Sequence, residues 1–151
     1  MNTTKHKGDI GLTAVIADLT KHGYYIAIPI HEHLPYDLIV LNEEHCPSRV
    51  QVKYKAAKNN VIPCSFENSW ANTSGIYTTH FDNELVDGIA IYCPDTDECY
   101  YANSKAVAKS GIYLRLEATK SNQKKGIRWA KDFKDPSVLM ERWQSGNAAA
   151  C

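Results

Sequence analysis

The feature that most constrains the fold of this chain is the succession of three strand-like runs between Tyr24 and Lys55. Tyr24-Tyr25-Ile26-Ala27-Ile28 is aromatic and β-branched, and Pro29 ends it. Asp37–Leu41 is apolar after its first residue, and Arg49–Lys55 alternates basic or polar with apolar side chains, as a strand with one buried face does. The turn between them, Asn42–Ser48, is of hairpin length and makes these two strands neighbours. Ahead of the three runs a helix is predicted over Lys5–His22. Thr3 or Thr4 can cap it, Ile10, Ala14 and Ala17 flanked by Val15, Ile16 and Leu19 give an apolar stripe, and Lys21-His22-Gly23 is a basic last turn with a closing glycine.

Residues 56–85 lack aliphatic periodicity and are rich in Asn, Ser and Thr, which predicts an irregular segment or an exposed hairpin anchored by Ile62 and Phe66. Val86–Cys93 reads as a buried strand and Cys99–Ala102 as a short one. Asn103-Ser104 can cap a helix to about Ser110, stopped by Gly111, and Ile112–Thr119 is a further strand. Lys120–Gly126 is a basic loop, Ile127–Phe133 is ambiguous, and Pro136–Trp143 is a terminal helix. The order predicts one mixed α/β (α+β) domain over residues 1–144, followed by a flexible tail, 145–151. The apolar runs are far shorter than the ~18 residues of a membrane helix. With no secretory signal at the N-terminus, a soluble, cytoplasmic protein is expected.

The 17 Lys and Arg balance the 17 Asp and Glu, yet the charges are segregated. Asp82–Glu98 holds six acids and no base, whereas Asn103–Lys134 holds nine bases against Glu117 and Asp132. Arg49, Lys53, Lys55 and Lys58 form another basic group. Such blocks can build one positive face on a neutral chain, or be solvated surface charge and no more. The five cysteines, odd in number and irregular in spacing, argue for free thiols rather than a disulfide framework. His31-Glu32-His33, His45-Cys46, Cys93 and Cys99 have no structural-zinc spacing.

The chemistry concentrates in Pro35-Tyr36-Asp37 and, after thirteen intervening residues, Gln51-Val52-Lys53. Gln51 and Lys53 project from one face of their strand, with Val50, Val52 and Tyr54 turned to the core. Asp37 opens the neighbouring strand, so a carboxylate, an amide oxygen and an ammonium fall in one small area. Metal-dependent phosphodiester hydrolysis needs these groups: a carboxylate for a hard cation such as Mg²⁺, and a cation for charge developing on phosphorus. The same residues also describe a strand with an exposed polar face. Asp9, near the first turn of the helix, is either a second carboxylate for the site or a group compensating the helix dipole.

Several segments together resemble the PD-(D/E)XK nucleases, and most closely the branch found as group I intron homing endonucleases in cyanobacteria. They are Lys7-Gly8-Asp9-Ile10-Gly11, Ile16-Ala17-Asp18-Leu19, Gly23-Tyr24-Tyr25, Glu32-His33-Leu34-Pro35-Tyr36-Asp37-Leu38-Ile39 and Val50-Gln51-Val52-Lys53. Tyr92-Cys93-Pro94, Leu114-Arg115-Leu116-Glu117 and Asn122-Gln123-Lys124-Lys125-Gly126-Ile127-Arg128-Trp129-Ala130-Lys131-Asp132 continue the likeness, which spans about residues 7–133. The resemblance implies a restriction-endonuclease-like core, a mixed central sheet flanked by helices. It also implies Mg²⁺-dependent, site-specific cleavage of double-stranded DNA, with Mn²⁺ able to substitute and no small-molecule cofactor. It makes Asp37, Gln51 and Asp9 the metal-binding set and Lys53 the lysine of the motif. Gln51 stands where most of the superfamily has Asp or Glu, which leaves open one metal or two.

On DNA, the amides and hydroxyls of 56–85 (Asn59, Asn60, Asn68, Asn72 and Thr78 among them) suit base edges, and Lys55 and Lys58 suit phosphates. The loop with Asn122, Gln123, Lys124 and Lys125 is a second expected contact. A site that cuts one strand must be doubled to cut two, so a homodimer or homotetramer is expected. Two other readings remain at this level: a structure-selective resolvase or repair nuclease, and a non-cleaving DNA-binding protein on a nuclease scaffold.

Overall fold

The computed structural model describes residues 3–79, 81–118, 120–121, 125–144 and 151. Helix α1, Thr4–Lys21, begins where the Thr3 side chain accepts the His6 amide, and gives way at Gly23, whose φ of 87° suits a residue without a Cβ. Its buried line is Gly11, Val15 and Leu19, rotated from the expected Ile10–Ala14–Ala17 stripe; Ala17 faces solvent. The rotation follows from close packing at Gly11, where a Cβ would lie 3.2 Å from the Tyr54 Cβ.

Strands β1 (Tyr25–Ala27), β2 (Leu38–Leu41), β3 (Pro47–Tyr54), β7 (Gly88–Cys93) and β8 (Glu98–Asn103) form a mixed sheet in the order β1-β2-β3-β7-β8. The expected β2–β3 hairpin is present, with Leu38 opposite Val50, and the β3–β7 pair is parallel, with Gln51 opposite Ile89 and Lys53 opposite Ile91. All six residues of β7 are buried, as both covered faces of a central parallel strand require. At the start of the pair, Arg49 grips the Asp87 carboxylate with two bonds of 3.0 Å, so this member of the basic group is internally neutralised.

The crossover between the parallel strands is the Asn- and Ser-rich segment. It contains β4 (Val61–Ser65), which pairs antiparallel with β9 (Gly111–Arg115), and a hairpin of β5 (Asn68–Asn72) and β6 (Gly75–Thr79), exposed over residues 71–79. Ile62 and Phe66 are buried anchors, as expected. Three layers result. On one face of the main sheet, α1 and the 3-10 turn Pro136–Met140 cover Leu38, Val40, Val50, Ala90 and Tyr101. On the other, the β4–β9 pair and the 3-10 turn Ala130–Phe133 cover Ile89, Ile91, Cys93 and Tyr100. The fold is a mixed α+β core, but strands rather than a long helix cover its second face.

Three expectations are corrected. Residues 104–110 form turns, not a helix, because the Asn103 side chain takes the Lys105 amide and closes a local turn. The terminal helix is a 3-10 turn followed by the short α2 (Glu141–Gln144). Cys46 and Cys151 are joined as a disulfide, their Cα atoms 5.3 Å apart, while Cys64, Cys93 and Cys99 are free and buried. The rest of the expected tail, 145–150, lies outside the described residues. No helix among the described residues is long and apolar enough to cross a membrane.

Candidate active site

Strand β2 begins at Leu38, one residue after Asp37, and leaves the edge of β3 open beyond that point. The Asp37 amide still donates to the Val50 carbonyl at 2.9 Å, and its carboxylate then accepts the Val52 amide at 2.7 Å. A side-chain oxygen thus takes the place of the missing strand. Residues of β3 alternate, so Val50, Val52 and Tyr54 join the α1 layer. Gln51 and Lys53 therefore face the β4–β9 layer, beside Ile89 and Ile91. Leu38 lies opposite Val50 and Ile39 opposite Arg49, so the same register carries Asp37 to the level of Gln51 and onto its face, as the sequence pattern predicts.

Electrostatics couple Asp37 and Lys53. Asp37 is open to solvent on one side, yet partial desolvation of its carboxyl raises it above the usual carboxylate range, against the pull of the Val52 amide and of Lys53. Desolvation holds the Lys53 ammonium below the usual lysine range. The Cys64 thiol and Asp37 oppose that shift, and Lys55 adds to it. Cys64, buried on β4, is itself pushed up to about 11. It borders the site, and the motif spacing does not reveal it; the signal that finds it is its place in the alternation of β4 that Ile62 begins.

The Gln51 Oε1 is buried with no hydrogen-bond partner. Such an atom costs free energy unless something cationic or protic meets it. An amide oxygen beside a carboxylate is an all-oxygen donor pair that suits a hard divalent cation, so the residues present fit one. No group of three or more His, Cys, Asp or Glu side chains among the described residues is placed to hold a metal, so the pair draws on glutamine.

Asp9 is not drawn into this cluster. It is exposed on α1, which covers the opposite face of the sheet, and its charge is not among those acting on Asp37 or Lys53. Lys55 continues the row of Gln51 and Lys53 and is half-buried; Lys58 is exposed. Asn59 and Asn60 have φ of 51° and 59° and form the two-residue turn between Lys58 and Val61, which gives them a conformational role before any ligand is considered. On the hairpin, Asn68 pairs with Thr79 in the ladder, while Asn72 and Thr78 fall on opposite faces and are both exposed. Lys125 is exposed, while Asn122, Gln123 and Lys124 lie outside the described residues.

No curated protein matches the sequence. Among solved structures, the bacterial homing endonuclease I-Ssp6803I superposes with a TM-score of 0.74 at 21% identity, covering 99% of this chain and 99% of that one. The likeness is one of fold. The model of the PD-(D/E)XK endonuclease family matches residues 1–136, a span that includes Asp37, Gln51 and Lys53. Nucleases of this type generally use divalent metals and act on DNA, in keeping with the donor set described. From its first helix into the second 3-10 turn, the chain belongs to the PD-(D/E)XK endonucleases.

Proposed function

We propose that this protein is a site-specific double-strand DNA endonuclease of the homing type, hydrolysing phosphodiester bonds with Mg²⁺, which Mn²⁺ can replace. One observation carries the reading. A carboxylate, an unpaired buried amide oxygen and a desolvated ammonium are grouped beside the parallel strands of an endonuclease-family fold. Asp37 and Gln51 Oε1 would hold the cation, which supplies Lewis acidity toward water and a phosphate oxygen.

The chain's own groups do the rest. The Val52 amide fixes the Asp37 carboxylate in one orientation. Lys53 lies against the phosphate and compensates charge developing on its oxygens, an interaction strengthened where water is excluded. Asp9, outside this cluster on α1, would join only as an outer carboxylate acting through water. Lys55, Lys58, Lys124 and Lys125 meet phosphates, while Asn59, Asn60, Asn68, Asn72, Thr78, Asn122 and Gln123 meet base edges. A homodimer or homotetramer supplies one site per strand.

The test is to cleave a random-sequence plasmid pool with Mg²⁺ and sequence the ends. Ends gathered at one sequence support the proposal. Cutting confined to branched DNA would replace it with a structure-selective nuclease, and binding without cutting at any metal with a DNA-binding protein on a nuclease scaffold.

A further inference from the structure

The outward face of the β4–β9 pair combines an exposed aromatic ring with basic side chains. Ile62, Cys64, Ile112 and Leu114 point inward to the core. Alternation puts Tyr113 and Arg115 on the outer face, opposite Pro63 and Val61. Tyr113 is 68% exposed. The segment from Lys125 is held alongside: the Arg115 amide donates to the Arg128 carbonyl at 2.8 Å, and Arg115 pairs with Trp129 in a parallel bridge. Between them lies a cleft of about 210 Å³ lined by Tyr113, Arg115, Lys125 and Arg128 together with Val61, Gly126 and Ile127.

No acid lines this cleft, and none of its three cations has a carboxylate partner among the described residues. Three bases elsewhere are paired: Arg49 and Arg142 share Asp87, and Lys134 takes Glu98. Three like charges around one small cleft repel one another, and an external polyanion relieves that repulsion. Two guanidinium groups can each fork onto phosphate oxygens, and a tyrosine hydroxyl can donate to a third. Lys58, paired with Val61 at the same end of β4, extends the positive surface.

We infer that the outer face of β4–β9 is a seat for the phosphate backbone of duplex DNA, separate from the scissile phosphate, with Arg115 and Arg128 as its anchors. The inference rests on the DNA-cleaving reading above. It deepens that reading by assigning a sequence-independent part of the affinity to residues outside the catalytic cluster.

Binding of a cleavable duplex and of an unrelated duplex is measured by fluorescence anisotropy in EDTA across a salt series. Wild type is compared with Arg128→Gln, Arg128→Lys and Arg115→Gln/Arg128→Gln. Each lost phosphate contact makes the slope of log K against log salt shallower by about 0.9, so the double variant should lose about 1.8 from both duplexes alike. Arg128→Lys should keep the wild-type slope. Wild-type slopes in the two Gln variants would overturn the seat while leaving the nuclease reading intact, and wild-type protein that binds neither duplex would overturn both. A change in subunit number on sedimentation would overturn it in favour of a contact between copies. Arg128 is exposed, so its single variant tests the idea even where the double variant fails to fold.

Discussion

Gln51→Met is the most direct probe of the site, because it exchanges the unpaired oxygen for an apolar group of similar length. A buried acceptor without a partner costs about 1–3 kcal/mol, and Gln51 Oε1 is such an atom. In EDTA the variant should therefore be more stable than wild type by about 2 kcal/mol, which for a domain of this size is roughly 4–8 °C in Tm. Metal should reverse the order. At a concentration 100 times its Kd, Mg²⁺ stabilises wild type by about 2.7 kcal/mol. If losing one ligand weakens affinity by about 100-fold, the same Mg²⁺ stabilises the variant by only about 0.4 kcal/mol. The assay is thermal unfolding of both proteins in EDTA and across a Mg²⁺ titration. A variant no more stable than wild type in EDTA, with an undiminished Mg²⁺ shift, would refute the view that this oxygen awaits a cation.

Four further outcomes are expected. Asp37→Asn should abolish cleavage and leave duplex binding in place. Since the folded-state carboxyl titrates above its usual range, its ionised form opposes folding. Any stability it permits at low pH is lost as pH rises through the carboxylate range and the raised value, so denaturation in EDTA should show Asn gaining on wild type as pH rises. Lys53→Ala should slow single-turnover cleavage by about 10²–10³-fold, the usual consequence of removing a group that stabilises transition-state charge; a few-fold loss would mean another cation does this work. Asp9→Asn should slow it by less than about 10-fold if the carboxylate acts through water, and a loss as large as that of Asp37→Asn would place Asp9 on the metal. Gly111→Ala should destabilise the protein by about 2–4 kcal/mol in chemical denaturation: φ is 145° and a Cβ would overlap the Cys64 carbonyl oxygen, so both strain and clash act.

What could be read in the sequence was local. The β2–β3 hairpin needed only two alternating runs and a short turn, and it carries Asp37, Gln51 and Lys53 together. The run Val86–Cys93 announced a buried strand, and all six residues of β7 are buried. Where one residue type serves two purposes, the reading divided. Asn103 can cap a helix or close a turn with the Lys105 amide, and tertiary context chose the turn. Asn59 and Asn60, read as base-edge donors, also meet the demand for left-handed backbone in a two-residue turn. Distance hid the rest. Val61–Ser65 finds its partner at Gly111–Arg115, and Cys46 meets Cys151 across 105 residues, pairings that no local pattern encodes. The position of Asp9 depends on which sheet face α1 covers, and a helical stripe does not tell one face from the other.

The β5–β6 hairpin emerges between Phe66 and Phe81, whose rings lie 5.0 Å apart in the core, and none of its described side chains belongs to either core cluster. The described part of the ribbon, Ala71–Thr79, thereby takes no part in core packing, and the aromatic clamp holds the base beneath it. In evolutionary terms, substitutions over Ala71–Thr79 should be tolerated without loss of the fold. A lineage could replace that ribbon wholesale, or a laboratory graft another onto the same clamp, and inherit an unaltered catalytic scaffold.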